Sequence, residues 1–178
     1  GHNIGGLGLI DDLDRLGWSP AGKRILLLGA GGAVAGCLGP LVAREPEEVV
    51  IANRSVEKVR RLVDRFDRGV RGIGLTELDL QGAPFDLVIN GISAGLSGSA
   101  VVELTDRIVN ADGACYDLIY SVDDTPFLKM CRPLTDQRAD GLGMLLAQAA
   151  RQFELWTGFL PDPFEQFIDF GRVPNAHI

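Results

Sequence analysis

The sequence predicts an α/β chain: a doubly wound parallel sheet flanked by helices and finished by a C-terminal helical segment. Three observations carry that expectation. Short apolar runs such as "RILLLG" and "FDLVING" recur along the chain, and runs without polar alternation suit strands buried on both faces. Stretches with helical periodicity separate them, which supplies the crossovers that parallel strands need. A glycine-rich stretch, "LLLGAGGAVAG", joins the first such run to the helical stretch after it, as a tight strand-to-helix turn would.

The elements follow in order. Leu7, Leu9, Ile10, Leu13 and Leu16 lie near helical spacing, with "DDLDR" as the expected wet face. Gly17 and "SPAGK" end that helix. "RILLLG" is the first strand and "GAVAGCLGPLVAREP" the helix after it. "EVVIANRS" is the second strand, and "VEKVRRLVDRFD" an amphipathic helix. "VRGIGL", "FDLVING" and "GACYDLIY" are expected as the third to fifth strands, and a short sixth falls near "PLTDQRADG". "LGMLLAQAARQFELWTG" reads as a long helix and "DPFEQFIDFG" as a short one.

Composition narrows the function classes. Of 178 residues, 46% are apolar and 23% charged, an ordinary globular balance. The formal net charge of −7 argues against general nucleic-acid or anionic-membrane binding, while leaving room for one local basic pocket. Cys37, Cys115 and Cys131 form no CxxC pair, which favours buried thiols in a reducing compartment over a disulfide framework or a zinc site. No metal site is expected. There is no 18-residue apolar run and no signal-peptide pattern, so the expected location is cytoplasmic. His2 and His177 stand at the extreme ends, which leaves no histidine inside the fold for acid–base work.

The glycine turn places Gly29, Gly31, Gly32 and Gly36 where a strand meets a helix. Gly29 permits the tight turn, Gly31 a close approach of a pyrophosphate, and Gly36 close helix–strand packing. The helix that starts near Gly32 offers free N–H groups and the positive end of its dipole. With a strand before and a helix after, this is the context of a Rossmann-like dinucleotide site. The second strand ends in Asn53, Arg54 and Ser55, with Lys58 one turn on. NAD sites usually carry an acidic residue there for the ribose. Arg54 can instead pair with a 2′-phosphate or stack on adenine, and Ser55 can cap the next helix. The chemistry favours NADP over NAD.

These residues bring a family into view. The chain resembles the C-terminal, NADP-binding part of shikimate dehydrogenases, including the quinate/shikimate variants, over nearly its whole length. "GAGGAVAG", Gly29, Ala30, Gly31, Gly32 and Ala33 onward, resembles the family's glycine loop. "NRS" with Lys58 resembles its clamp for the adenosine phosphate. "VINGISAG" resembles an "INATSSG" loop, with Gly91 and Ile92 replacing Ala and Thr. "YDLIYSVDDTPFL" and "DGLGMLLAQAARQFELWTG" resemble two further family segments. The resemblance implies that Asn90, Gly91, Ile92 and Ser93 lie beside the dinucleotide, that Gly141 and Met144 border the nicotinamide, and that Tyr120 and Gln148 hold the substrate. Residues i and i+4 share a helix face, which suits Met144 and Gln148.

The resemblance also implies what is missing. In the family, a substrate-binding half of about one hundred residues comes first and ends in a "GxNTDxxG" motif. "GHNIGGLG" falls in register, with Gly1, Asn3 and Gly6 matching, Ile4 in place of Thr, and Gly5 in place of the catalytic Asp. The partner Lys belongs to the preceding half, so no catalytic residue is expected in this chain. Residues 1–20 are then expected as the linker helix, 21–140 as the NADP-binding domain, and 141–178 as helices packing toward the absent half. An excised cofactor-binding domain is the favoured reading, with "GH" a cleavage remnant or an altered linker. A divergent paralogue, quinate dehydrogenase-like or a non-catalytic nucleotide-binding module, is the alternative. The implied parent reaction interconverts 3-dehydroshikimate and shikimate. Apolar surface left by the absent half would favour self-association.

Overall fold

The structure is a computed structural model that describes residues 4–66, 68–92 and 102–165. It contains α1 (Ile4–Leu16), β1 (Arg24–Leu28), α2 (Gly32–Val42), β2 (Glu48–Asn53), α3 (Val56–Val63) and β3 (Val70–Gly74). These are followed by a 3-10 helix (Leu75–Leu80), β4 (Phe85–Asn90), β5 (Val109–Asp117), α4 (Pro126–Cys131), β6 (Arg138–Ala139) and α5 (Leu142–Thr157). The expected helix in "DPFEQFIDFG" lies largely outside the described residues.

The six strands form one parallel sheet in the order β3-β2-β1-β4-β5-β6. The chain leaves β1 toward β2 on one side and reaches β4 on the other, so the order reverses between β1 and β4. Doubly wound sheets bind ligands outside the carboxyl ends of their strands at such a reversal. The strands are apolar runs because both faces are covered. Ile25, Leu27, Ile51 and Ile89 face a core shared with Leu9 and Leu13 of α1, Val34 and Leu38 of α2, Val59 of α3 and Met144 of α5. Leu26, Leu28, Val50 and Val88 face the opposite core, with Phe127, Leu128 and Cys131 of α4. Each fully buried Leu or Ile contributes about 1.5–3 kcal/mol, so Leu9 and Leu13 tie α1 into the same core.

Several sequence expectations change on contact with the fold. "DDLDR" is not a wholly wet face, because Asp12 is completely buried. Its carboxylate accepts from Tyr116 Oη at 2.7 Å and from Arg15 Nε at 2.7 Å, and these partners make its burial tolerable. The fifth strand begins at Val109 and stops at Asp117, so Leu118 to Tyr120 lie beyond it. Its early residues pair with β4 through a register shift between Phe85 and Leu87, and polar Asn110 and Asp112 there hide the strand. Ser55 stands at the start of α3 in extended conformation, yet its side chain makes no capping bond. All three cysteines are buried free thiols, and burial pushes the Cys37 thiol up to about 12.

Candidate functional site: a glycine turn and the carboxyl edge of the sheet

Gly29 leaves β1 with φ +105°, a conformation that disfavours any side chain. Backbone bonds stitch the carboxyl edge together there: Gly29 N–H donates to Ala52 O and Gly91 N–H to Leu28 O, both at 2.8 Å. Gly31 then sits in extended conformation as the N-cap of α2 and gives it no side-chain cap. The first amides of α2 therefore have no intrahelical acceptor. A Cβ built on Gly31 or on Gly32 would meet nothing within 4 Å. Packing does not require glycine at either place; the backbone is bare toward open space. Exposed Ala33 shares this turn and Ala30 is partly buried beside it. Amides without an intrahelical acceptor, a helix dipole and free room together form a cradle whose chemistry suits an anion.

β2 lies beside β1, with Leu28 opposite Ala52, so its end delivers Asn53, Arg54 and Ser55 next to that cradle. Asn53 is turned inward, its Nδ2 donating to Ser55 O at 3.1 Å. Arg54 and Lys58 are exposed, and among the described residues neither makes a salt bridge. Nearby Glu57 is engaged instead by Arg61 at 3.5 Å. Two cations thus stand available at the edge.

On the other side of the reversal, Asn90 ends β4 and is buried. Its Nδ2 donates to Asp117 Oδ1 at 3.0 Å, and its Oδ1 accepts from Ile92 N–H at 3.2 Å. A Cβ on Gly91 would overlap Val34 of α2, so glycine at position 91 makes room for a bulky Val34. Ile92 covers the start of the glycine turn, its Cγ1 lying 3.3 Å from where a Gly29 Cβ would be. Ser93 falls outside the described residues.

Asp117 is the hub that sequence reasoning missed. Its Oδ1 also accepts from Ile119 N–H at 3.1 Å, and its Oδ2 from Thr125 Oγ1 at 2.5 Å. Thr125 in turn caps α4, accepting from Leu128 N–H at 3.2 Å. Burial holds the Asp117 carboxyl above its ordinary range, and the bonds from Thr125, Ile119 and Asn90 offset only part of that cost. Its place, directly after an apolar strand and eight residues before a Thr-Pro helix start, was the available signal.

Asn90, Ile92, Asp117, Ile119, Tyr120 and Thr125 line a cavity of about 390 Å³. Tyr120 is half exposed at its mouth. Gly141 adjoins this wall, its N–H donating to Ile119 O at 3.1 Å. Gln148 does not line the cavity. It lies between α1 and α5, where a Cβ on Gly5 would stand 3.6 Å from Gln148 Nε2 and 3.9 Å from the Met144 methyl. The fold thus gathers Gly5, Met144 and Gln148 in one place and Tyr120 with Asn90 in another. Met144 is also a core residue, as its side chain packs with the sheet. Among the described residues, no group of three His, Cys, Asp or Glu is placed to hold a metal, and no helix is long and apolar enough to cross a membrane.

Comparisons with known proteins agree with the fold and show the family. Residues 14–105 match the family described as Shikimate / quinate 5-dehydrogenase, and residues 141–167 match the Shikimate 5'-dehydrogenase C-terminal domain. A "Shikimate dehydrogenase (NADP(+))" from Cellvibrio japonicus is 46% identical over 91% of this chain and 59% of its own length. The chain spans the same share of three further relatives of that name, two from Aeromonas species and one from Alcanivorax borkumensis. The crystal structure of an Ael1 enzyme from Pseudomonas putida, 36% identical, superposes with a TM-score of 0.81 over 96% of this chain and 63% of its own. Shikimate 5-dehydrogenase from Thermus thermophilus, solved in complex with NADP(H) and shikimate, is 32% identical with a TM-score of 0.74, covering 92% of this chain and 59% of its own. With its parallel sheet in the order 3-2-1-4-5-6, its bare glycine turn and these matches along most of its length, the chain belongs to the shikimate / quinate 5-dehydrogenase family.

Proposed function

We propose that this chain is the NADP-binding portion of an oxidoreductase that interconverts 3-dehydroshikimate and shikimate. The observation that carries the reading is the cradle at Gly31 and Gly32, open where side chains would stand, beside two cations with no salt bridge among the described residues. In this reading the amides at the start of α2 hold the diphosphate, with Gly29, Ala30 and Ala33 shaping the turn. Asn53, Arg54, Ser55 and Lys58 hold the adenosine end, and the Arg54 guanidinium selects the 2′-phosphate. Asn90 to Ser93, with Gly141 and Met144, flank the nicotinamide, which when bound supplies or takes up hydride. Tyr120 and Gln148 bind the substrate. Residues 1–20 lead in from a preceding substrate half, 21–140 bind the dinucleotide, and 141–178 pack toward that half.

Gly5 bears on the chemistry directly. Hydride transfer at a carbinol carbon requires a group that moves the alcohol proton, and glycine has none. The chain by itself therefore binds the dinucleotide without turnover. The same residue favours a second reading, a nucleotide-binding module without catalysis even when complete.

Calorimetric titration with NADP and NAD tests the proposal. NADP should bind more tightly, and Arg54→Ala should weaken NADP alone by about 10- to 100-fold, since a charge-assisted hydrogen bond contributes about 1.5–3 kcal/mol. Equal affinities, unmoved by the substitution, overturn the phosphate clamp. NADPH consumption with 3-dehydroshikimate by the chain alone overturns the reading of Gly5.

A further inference from the structure

The start of α5 is held from outside the helix. Gly141, its N-cap, provides no side-chain bond. Asp140 Oδ1 accepts from Leu142 N–H at 3.0 Å. The next residue packs against a distant element. A Cβ on Gly143 would overlap the Asp12 carboxylate, so Asp12 of α1 fills the notch that this glycine leaves in the first turn. Tyr116 of β5, fully buried, donates to that carboxylate at 2.7 Å. Burial and the Asp12 charge push the Tyr116 phenol far above its ordinary value, so it stays a donor. A carboxylate here lies at the positive end of the α5 dipole, and burial makes the arrangement unforgiving of an unpaired atom.

The same contact sets the register between helices. Gly5 lies beside Gln148, Gly8 beside Gln148 and Met144, and Asp12 beside Gly143, so the glycines let α1 pack closely on α5, with Asp12 at the first turn of α5. Asp11 adds a paired contact to Arg151 at 2.5 and 2.7 Å, but at a partly exposed site. The one fully buried polar tie between α1, β5 and the first turn of α5 is Asp12–Tyr116 among the described residues.

We infer that Asp12 and Tyr116 are positioning residues: together they fix the first turn of α5, and through it Met144 and Gln148, against α1 and the carboxyl edge of β5. The inference rests on the proposed function only in giving Met144 and Gln148 a ligand to meet. Neither Asp12 nor Tyr116 lines the 390 Å³ cavity, so they act through α5.

Amide hydrogen exchange on the chain without cofactor tests the tie itself. Tyr116→Phe keeps the ring and removes the hydroxyl bond to Asp12. Exchange across residues 142–145 should quicken at least tenfold beyond the change in β1 and β2. Ile73→Ala, a destabilising control in the opposite core, should shift all segments together. If Tyr116→Phe does not fold, Asp12→Asn serves, with the same local pattern at about threefold or more. The second readout is the fluorescence of bound NADPH. Tyr116→Phe should alter the emission of the bound nicotinamide while keeping affinity within about threefold, because the diphosphate and adenosine contacts are elsewhere. Exchange at 142–145 that merely follows global stability overturns the positioning role, as does unchanged emission in a variant that binds. If the unsubstituted chain fails to bind NADPH, the proposed function falls, and the exchange pattern alone decides this inference.

Discussion

Asp117 gathers the Asn90 amide, the Ile119 N–H and the Thr125 hydroxyl onto one carboxylate, joining two strand ends and a helix cap. Burial raises its proton affinity above the ordinary value, aided by the nearby Asp140 charge and opposed by its hydrogen-bond donors. Linkage then fixes a sign. A carboxyl whose folded value is raised binds its proton more tightly when folded, so its stabilising share is complete below the unfolded value of about 3.9. That share is lost as pH rises through the folded value. Urea unfolding of the chain and of Asp117→Asn from about pH 4 to 7 checks this. The stability difference, parent minus variant, should fall as pH rises, because other titrating groups cancel in the difference. A difference that grows with pH would mean the folded state favours the Asp117 anion. The Asp12 carboxyl carries the same sign for the same leading cause, burial, moderated by Tyr116 and Arg15.

At the scale of elements, α1 against α5 shows two glycines with opposite requirements. A Cβ on Gly8 would lie 2.6 Å from Gln148 Cγ and 2.8 Å from Met144 O, the latter backbone that cannot swing aside. On Gly5 it would make ordinary contact. Gly8→Ala should therefore cost about 1–3 kcal/mol from overpacking, despite a helix-propensity gain of about 0.5–1 kcal/mol. Gly5→Ala should be neutral or stabilising by up to about 1 kcal/mol, and denaturant midpoints for the pair decide it. The sequence disclosed these elements unevenly, for physical reasons. Strands buried on both faces announce themselves as apolar runs, and the glycine turn is local, so β1, α2 and the cradle were readable at once. The first residues of β5 were hidden because polar Asn110 and Asp112 break the apolar run ahead of Gly113, and they lie where the pairing with β4 shifts register. The six-residue α4 was missed because Thr125 and Asp117 hold it across a strand end. Tyr116 and Asp12 lie 104 residues apart, and only the fold joins them.

At the scale of the molecule, large apolar side chains stand exposed near the end of α5. Phe153, Leu155, Trp156, Phe159 and Leu160 near the end of α5 are all exposed, Trp156 by 82%. Exposed apolar surface beyond scattered single residues marks a surface that meets a partner, and the chain spans 59% of the length of the four curated relatives compared above. Sedimentation velocity across a concentration series should show reversible self-association. Replacing Trp156 and Phe159 with Lys should weaken it by at least about tenfold, since each buried aromatic contributes about 1.5–3 kcal/mol. Association unchanged by the pair would place the contact elsewhere. The fit of Val34 against Gly91 has a different reach, toward chimeras. A β4 loop borrowed from a homologue with alanine at position 91 arrives with a methyl that strikes Val34. A borrowed glycine turn with a smaller residue at position 34 leaves a hole above Gly91. Segment exchange between homologues succeeds at this seam only when the two positions travel as one cassette.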